Sequence, residues 1–421
     1  MRLKPSSRLL APEMAGCASA RGKEAVSKSV SILIPTRNRA TLLPFALASA
    51  LAQDYENIEV IVSNNASSDA TANWLASQSD PRLRVVQCDQ VLPFHEHWRF
   101  LLSHARSDYV VFLCDDDAFV TDAIGRGIAA MAELNLDLVC WRWAFFDIQA
   151  KTLSFRLGSK NPRKLSGIAT AQSLLNGDFG PPKPQTNNCL IPRLEMVEMI
   201  ASFPFAFSPF GGDFATAIFL LSTRTAYAFL DRPMSVFTEW PGSLSFAVEA
   251  LDHNAVDAYF LKAGGYPPIP IEMPLAKLPL LANRLFANCV GAARTSKANE
   301  SLHWDPSIYF LIAWNEIVKQ FDQPANRDYF HAALHNQPLS VRTGVEARVG
   351  TVTGFQKAIR RRGWRDHQLV QSIEWALRPS IRCARQLQCD GIENVGQAAS
   401  TLTNVYENSF VASPPPNVRI S

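Results

Sequence analysis

The sequence predicts an α/β protein: a doubly wound, mainly parallel sheet followed by a C-terminal helical region. Three observations carry this. From residue 30 to 140, apolar β-branched runs of strand length alternate with segments of helical period, as repeated strand–helix–strand units require. Three of the runs end in polar loops rich in Asn, Ser, Arg or Asp, and open α/β sheets bind ligands at that edge. After about residue 250 the strand-like runs give way to Pro267, Pro268, Pro270 and Pro274 and then to helical patterns.

Val30-Ser-Ile-Leu-Ile34 reads as a buried strand closed by Pro35, and residues 40–52 as a helix. The second strand is Ile58-Glu-Val-Ile-Val62, followed by the polar loop 63–68 and a short helix, 69–77, capped by Asp69. The strand 83–86, the helix 95–105 and the strand Tyr109-Val-Val-Phe-Leu113 come next, then the helix 123–134 and a fifth strand, 136–140. Residues 151–164 are a hairpin or loop, and 169–175 a helix. Residues 176–188 form a long irregular connection holding Gly177, Gly180, Pro181, Pro182 and Pro184, and connections of that length are more often functional or mobile than incidental. Gly211-Gly212-Asp213 opens an apolar helix running to Ser222. Helical patterns recur at 275–293, 307–321 and 367–377, and the chain is expected to close without a further structured element. The expected organisation is a disordered tail over 1–28, an α/β domain over 29–250, a helical region over 251–410 and a second disordered tail over 411–421.

Composition excludes several classes. A net charge of +3 and the lack of basic–aromatic repeats argue against nucleic acid as a partner. None of the 8 cysteines forms a Cys-x-x-Cys pair, which argues against zinc. The first 28 residues are basic without a continuous apolar stretch, so no signal peptide is expected. No run approaches the roughly 20 apolar residues of a membrane span, so a cytoplasmic protein is expected. The Gly-rich dinucleotide fingerprint and the Gly-x-x-x-x-Gly-Lys phosphate loop are both missing after the first strand.

The chemistry concentrates in Asp115, Asp116 and Asp117, directly after the strand that begins at Tyr109. Adjacent carboxylates repel one another, and a hard divalent cation, Mg²⁺ or Mn²⁺, relieves that while binding substrate phosphates. The alternative is a solvated loop with Asp117 capping the next helix. In a parallel sheet, Pro35-Thr-Arg-Asn-Arg39, Ser63-Asn-Asn-Ala-Ser-Ser-Asp69 and the aspartates share one edge. Amide groups suit the edge of a base and metal-bound carboxylates suit a diphosphate, so a nucleoside diphosphate fits; Asn64 and Asn65 alternatively mark a tight turn. The spacing of His95 and His97 puts them on different sides of a helix, as surface residues, with His97 the one able to reach the crevice. A basic stretch, from Lys357, Arg360, Arg361, Arg362 and Arg365 to Arg378, Arg382 and Arg385, reads either as a peripheral membrane contact or as a solvated helix face.

Five segments in order resemble family 2 glycosyltransferases of the GT-A fold: 30–39, 61–71, 109–117, Gly211-Gly-Asp-Phe214 and Val236-Phe-Thr-Glu-Trp-Pro-Gly-Ser-Leu-Ser245. Residues 97–109 with the triple aspartate look most like the abequosyltransferase-type branch, whose members add sugars to bacterial surface polysaccharides. The resemblance implies a metal-dependent, inverting transfer from a nucleotide diphosphate sugar donor to a saccharide or lipid-linked acceptor, with Mg²⁺ or Mn²⁺. It lays Pro35, Thr36, Arg37 and Asn38 against the nucleotide, Asn64 and Asn65 at the base, Asp115 at the ribose or donor sugar, and Asp116 and Asp117 on the metal. Asp213 becomes the general base that takes the proton of the attacking hydroxyl; it also suits a helix cap. Trp240 stacks on a sugar or packs in the core. Four positions depart from the pattern: Asn64 and Cys114 stand where acids are common, Gly212 replaces a Glu, and Trp240 stands where several relatives have His. Two rival functions remain: a nucleotide-sugar-binding protein that has lost catalysis, and a sugar nucleotidyltransferase.

Overall fold

Four strands run parallel in the order β3-β2-β1-β4: β1 (Val30–Thr36), β2 (Ile58–Asn64), β3 (Leu83–Gln87) and β4 (Tyr109–Phe112). The computed structural model describes residues 28–156, 158–203, 206–208, 211–240, 271–296, 301–347, 386–408 and 418–420. The N-terminal tail, segment 241–245, the helix expected at 367–377, the basic stretch 357–385 and Ser413–Pro416 lie outside those residues.

Side chains alternate across the sheet into two cores. Val30, Ile32 and Ile34 of β1 and Val111 of β4 join a layer with α1 (Leu43–Leu51) and α4 (Ala123–Leu134). Leu33, Val110 and Phe112 join the opposite layer with α3 (Phe94–Ser103) and α5 (Gly167–Leu175). Strands covered on both faces need the near-continuous apolar runs seen in the sequence. Pro35 does not end β1. Leu33 O accepts from Leu113 N (2.9 Å), so odd-numbered residues of β1 face β4. At Pro35 the strand β4 has already ended, and its missing N–H is not needed there.

Beyond β4 the sheet becomes mixed. Short β9 (Cys189–Pro192) runs antiparallel between β4 and β6 (Val139–Asp147), and β6 pairs in parallel with the long β10 (Tyr227–Glu239). The expected strand 136–140 is therefore shifted and lengthened. Asn135 ends α4 in the left-handed conformation (φ 51°), and pairing with β10 sets the strand from Val139 to Asp147. Arg142 inside β6 is neutralised by Asp231 of β10. The 151–164 stretch contains β7 (Thr152–Arg156) and begins β8 (Arg163–Leu165), which pair with β6 and β10 respectively.

The helix α7 (Gly212–Leu221), which carries Asp213, packs between α5 and α8 (Leu281–Thr295). Gly211 takes φ 70°, and a Cβ there would lie 3.0 Å from Leu285 O, so the close helix contact requires glycine. A Cβ on Gly212 would lie 2.8 Å from Ala206 O, leaving no room for the Glu of the family pattern. Glu316 of α9 (Ser307–Gln320) accepts from Leu281 N (2.7 Å) and Ala282 N (3.2 Å), satisfying amides at the start of α8.

The expectation of an unstructured close is corrected. After α10 (Pro324–His335), the strand β11 (Gln386–Asp390) pairs with β7, and β12 (Val418–Ile420) pairs with β11. Between them α11 (Val395–Asn408) buries Val395, Ala398 and Leu402 against Val120, Phe146 and Val236. These elements are stabilised by long-range pairing with distant strands, which a local pattern does not reveal.

Candidate functional site

The reversal of strand order at β1 and β4 separates the loops that follow them, and ligand crevices of open α/β sheets lie at such points. The chain leaves β4 at Cys114 and turns tightly, with Asp117 N donating to Cys114 O (3.1 Å). The end of β10 cradles this turn. Thr238 Oγ1 donates to Asp116 O (2.5 Å), and Thr238 N donates to Asp117 Oδ1 (2.9 Å). Trp240 Nε1 donates to Asp116 Oδ2 (3.0 Å), and the Arg39 guanidinium lies 4.8 Å from the centre of the Trp240 ring. Trp240 is half-buried rather than a core residue. It holds Asp116 and is covered by Arg39.

Asp115 accepts from Thr36 Oγ1 (2.7 Å) and lies 3.7 Å from Arg39 Nε. Pro35 and Thr36 are buried in the strand end, so Thr36 works by orienting Asp115; Arg37 is half-buried and Asn38 exposed. The carboxylates are crowded and poorly hydrated. Asp115 is pushed up to about 7, mainly by burial and next by Asp116, against the pull of Arg39. Burial also raises Asp116, and burial with the Asp116 charge holds Asp117 well above the carboxylate range.

Asp213 sits across this crevice in the first turn of α7, so the cap position suits it as well. Its Oδ1 accepts from Thr186 Oγ1 (3.1 Å), and the Gln185 side chain also donates to it. Asp213 is exposed, yet burial among its neighbours is the largest influence raising it, as expected for a carboxylate inside a cleft. Thr186, which bonds Asp213, also accepts through its carbonyl from Phe112 N (3.0 Å) at the end of β4, which brings Asp213 towards the acid row. The Cys114 thiol, raised first by burial, is raised further by all four acids.

Donor atoms of Cys114, Asp116 and Asp117 lie within 4.8 Å of one another. Two adjacent carboxylates raised chiefly by burial, Asp117 also by the Asp116 charge, fit a hard cation such as Mg²⁺ or Mn²⁺. The neutral Cys114 thiol is a poor ligand for such an ion, which leaves Asp116 and Asp117 as the pair able to hold it.

The loops after β1 and β2 are stitched together. Asn38, in the left-handed region at φ 55°, accepts from Ser68 N (2.8 Å) and donates through its own N–H to Ser67 Oγ (2.9 Å). Asp69 accepts from Thr71 N (3.0 Å) and Ala40 N (3.2 Å). Asn64 and Asn65 both bond to backbone around the turn. Asn64 is buried with its Oδ1 accepting from Ser67 N (3.2 Å), and Asn65 exchanges both amide groups with the Leu92 backbone. Both side chains fasten the turn. His97, expected at the surface, is buried instead. It is 5% exposed, and its Nε2 lies 2.9 Å from Ser63 Oγ beneath the loop. Burial lowers it to about 4, so the ring is neutral. His95 is half-buried.

Arg39, Lys183, Gln185, Thr186, Asn187 and Thr238 were not singled out by type or spacing. They reach the acids through long-range packing, and the unusual length of the 176–188 connection was the one signal pointing to four of them.

Fold and site define an α/β protein with an acid-lined crevice at the carboxyl ends of parallel strands. Comparison with known proteins narrows the class: residues 31–175 match the profile of Glycosyl transferase family 2. An uncharacterized glycosyltransferase of Rickettsia typhi is 29% identical over 161 residues, 36% of this chain and 49% of that one. The succinoglycan biosynthesis protein ExoO of Rhizobium meliloti is 32% identical over 117 residues, covering 26% and 34%. The UDP-Glc:alpha-D-GlcNAc-diphosphoundecaprenol beta-1,3-glucosyltransferase WfgD of Escherichia coli is 26% identical over 110 residues, covering 26% and 44%. The matches thus span about half or less of the length of these relatives. Among solved structures, S. aureus TarS 1-349 with UDP-GlcNAc superposes with a TM-score of 0.46 and 12% identity, over 90% of this chain and 92% of that one.

Proposed function

We propose that this chain is a glycosyltransferase that moves a sugar, with inversion, from a nucleoside diphosphate donor to a hydroxyl of a saccharide or lipid-linked acceptor in bacterial surface polysaccharide synthesis. The observation that carries the reading is the acid crevice at the switch point of the sheet, whose β4 wall falls inside the segment matching Glycosyl transferase family 2. The relatives described as acting in succinoglycan biosynthesis and on a diphosphoundecaprenol acceptor support the polysaccharide setting.

In this mechanism Asp213 accepts the proton of the acceptor hydroxyl as that oxygen bonds to the anomeric carbon, and the bond from that carbon to the diphosphate oxygen breaks. Thr186 and Gln185 hold Asp213 for that task, while Thr36 and Arg39 hold Asp115 beside the donor. Bound by Asp116 and Asp117, Mg²⁺ or Mn²⁺ would supply positive charge at the leaving diphosphate. Thr238 and Trp240 fix the orientation of those two acids.

The test is release of nucleoside diphosphate across a donor panel that includes UDP-glucose, UDP-N-acetylglucosamine and an abequose donor, with Mn²⁺ and with EDTA. Release that depends on acceptor and metal is expected. Release undiminished by EDTA ends the metal role; pyrophosphate release points to a nucleotidyltransferase; tight donor binding without turnover points to an inactive binding protein.

Among the described residues no helix is long and apolar enough to cross a membrane. We assign any membrane contact to the basic stretch 357–385, whose cationic side chains suit an anionic lipid surface. Replacing Arg360, Arg361 and Arg362 by Ala is expected to reduce flotation with anionic liposomes; unchanged flotation removes the assignment.

A further inference from the structure

We propose that Arg39 is an anion clamp for the donor: laid against the Trp240 ring at the rim of the acid crevice, its guanidinium takes the diphosphate oxygens by paired N–H bonds. The proposal rests on the reading of the ligand as a nucleoside diphosphate.

The backbone of Arg39 is fully engaged in the loop after β1. Its N–H donates to Thr71 Oγ1 (3.2 Å), and its carbonyl accepts from Leu42 N (3.0 Å) and Leu43 N (2.9 Å) at the start of α1. Those bonds fix where the side chain leaves the loop. The side chain is committed differently. Its guanidinium carbon lies 4.8 Å from the centre of the Trp240 ring, the contact by which a planar cation rests on an aromatic face. Nε stands 3.7 Å from Asp115 Oδ1, an ion pair too long for a hydrogen bond. Among the described residues the guanidinium makes no hydrogen bond, and the side chain keeps 31% of its surface exposed.

A fork of N–H donors held against an aromatic plate, with no acceptor supplied by the scaffold, suits the oxygens of a phosphate. A guanidinium that serves the scaffold is bonded to it, as Arg224 is to Glu195 and to Leu220 O (2.6 Å). The position agrees with the chemistry. Arg39 pairs with Asp115 directly, and its seat, Trp240, donates to Asp116 Oδ2 (3.0 Å). A diphosphate approaching those two acids meets carboxylates in a row, and like charges repel. Arg39 brings positive charge to that approach. Asp115 has a second partner in Thr36 Oγ1 (2.7 Å), so the guanidinium can turn to a phosphate without releasing the acid.

The experiment uses the full chain with Arg39→Gln, which removes the charge, and Arg39→Lys, which keeps the charge without the fork. Both are first matched to the parent by thermal unfolding. Calorimetry with Mn²⁺ then compares the diphosphates of uridine, guanosine, cytidine and thymidine, each against its monophosphate. In Arg39→Gln the preference for the diphosphate over the monophosphate is expected to fall about tenfold, the loss of a charge-assisted contact. Arg39→Lys is expected to recover part of it. Mn²⁺ binding without nucleotide, followed by electron paramagnetic resonance, is expected to be unchanged or tighter in Arg39→Gln, because a cation beside Asp115 is gone. A preference that changes by less than about threefold overturns the proposal. So does an Mn²⁺ affinity that falls in step with diphosphate affinity, since the loss then runs through the metal. Failure of the underlying reading is separate: the parent then binds none of the diphosphates, and inorganic pyrophosphate with Mn²⁺ replaces them. Weaker pyrophosphate binding by Arg39→Gln upholds the clamp; equal binding, or none by the parent, overturns it.

Discussion

In the wall formed by the loops after β1 and β2, Asn38, Asn64, Asn65 and Asp69 each bond to backbone groups of the same two loops or of Leu92. In the facing wall, Asp115, Asp116, Asp117 and Asp213 are all raised by burial, and Asp115 and Asp117 further by neighbouring charge. The first wall is satisfied by the protein itself. The second carries strained charge that a cation, a proton or a substrate hydroxyl relieves. Polar residues of similar type thus do opposite jobs. One set stabilises the scaffold, and the other, on the proposed function, is left for the chemistry.

The sharpest way to break this contrast is Asp213→Asn. Transfer should fall by about 10²- to 10⁴-fold, with UDP binding retained. Near-normal kcat would move the base elsewhere in the acid wall. Next in size, Asp116→Asn should abolish Mn²⁺ binding followed by electron paramagnetic resonance, and with it the metal-dependent gain in UDP affinity. Full Mn²⁺ binding by this variant would take Asp116 off the metal.

The stitched wall should respond in stability instead. His97 titrates at about 4 in the fold against an ordinary 6.5. The folded state therefore binds fewer protons across that window. Its contribution is whole above about pH 6.5 and is lost as the pH falls through about 4, on the order of 3 kcal/mol in all. Removing the titrating ring with His97→Gln should flatten the fall in denaturation midpoint between those values; an unchanged slope would show that His97 is not the source.

Smaller effects complete the contrast. Asn65→Ala should cost about 1–2 kcal/mol by freeing the Leu92 backbone, without changing preference among nucleoside diphosphates. A changed base preference would restore Asn65 as a reader. Asp117→Asn should raise stability by about 1 kcal/mol while impairing turnover, because an amide replaces a repelled carboxylate. A destabilised variant would mean that the Asp117 charge supports the fold.

Much of the architecture was legible because β1, β2, β4 and α4 are encoded locally. Apolar runs that alternate between two cores give strand and helix periods that need no distant partner to be recognised. The acid row was legible for the same reason, as carboxylates directly after a buried strand. The limits of β6, the strands β11 and β12 and the helix α11 were not, since their extent follows from pairing with β10 and β7 and from packing against Val120 and Val236. The roles within the site divide along the same line. Residue chemistry marked Asp115–Asp117 as reactive candidates, and the resemblance to a known family added Asp213. Only the tertiary structure shows that the Asn65 side chain bonds the Leu92 backbone, that His97 is buried against Ser63, and that Trp240 and Thr238 hold the acids. Chemical type and local period are written in each segment of chain, but which polar groups satisfy one another depends on loops that only folding brings together.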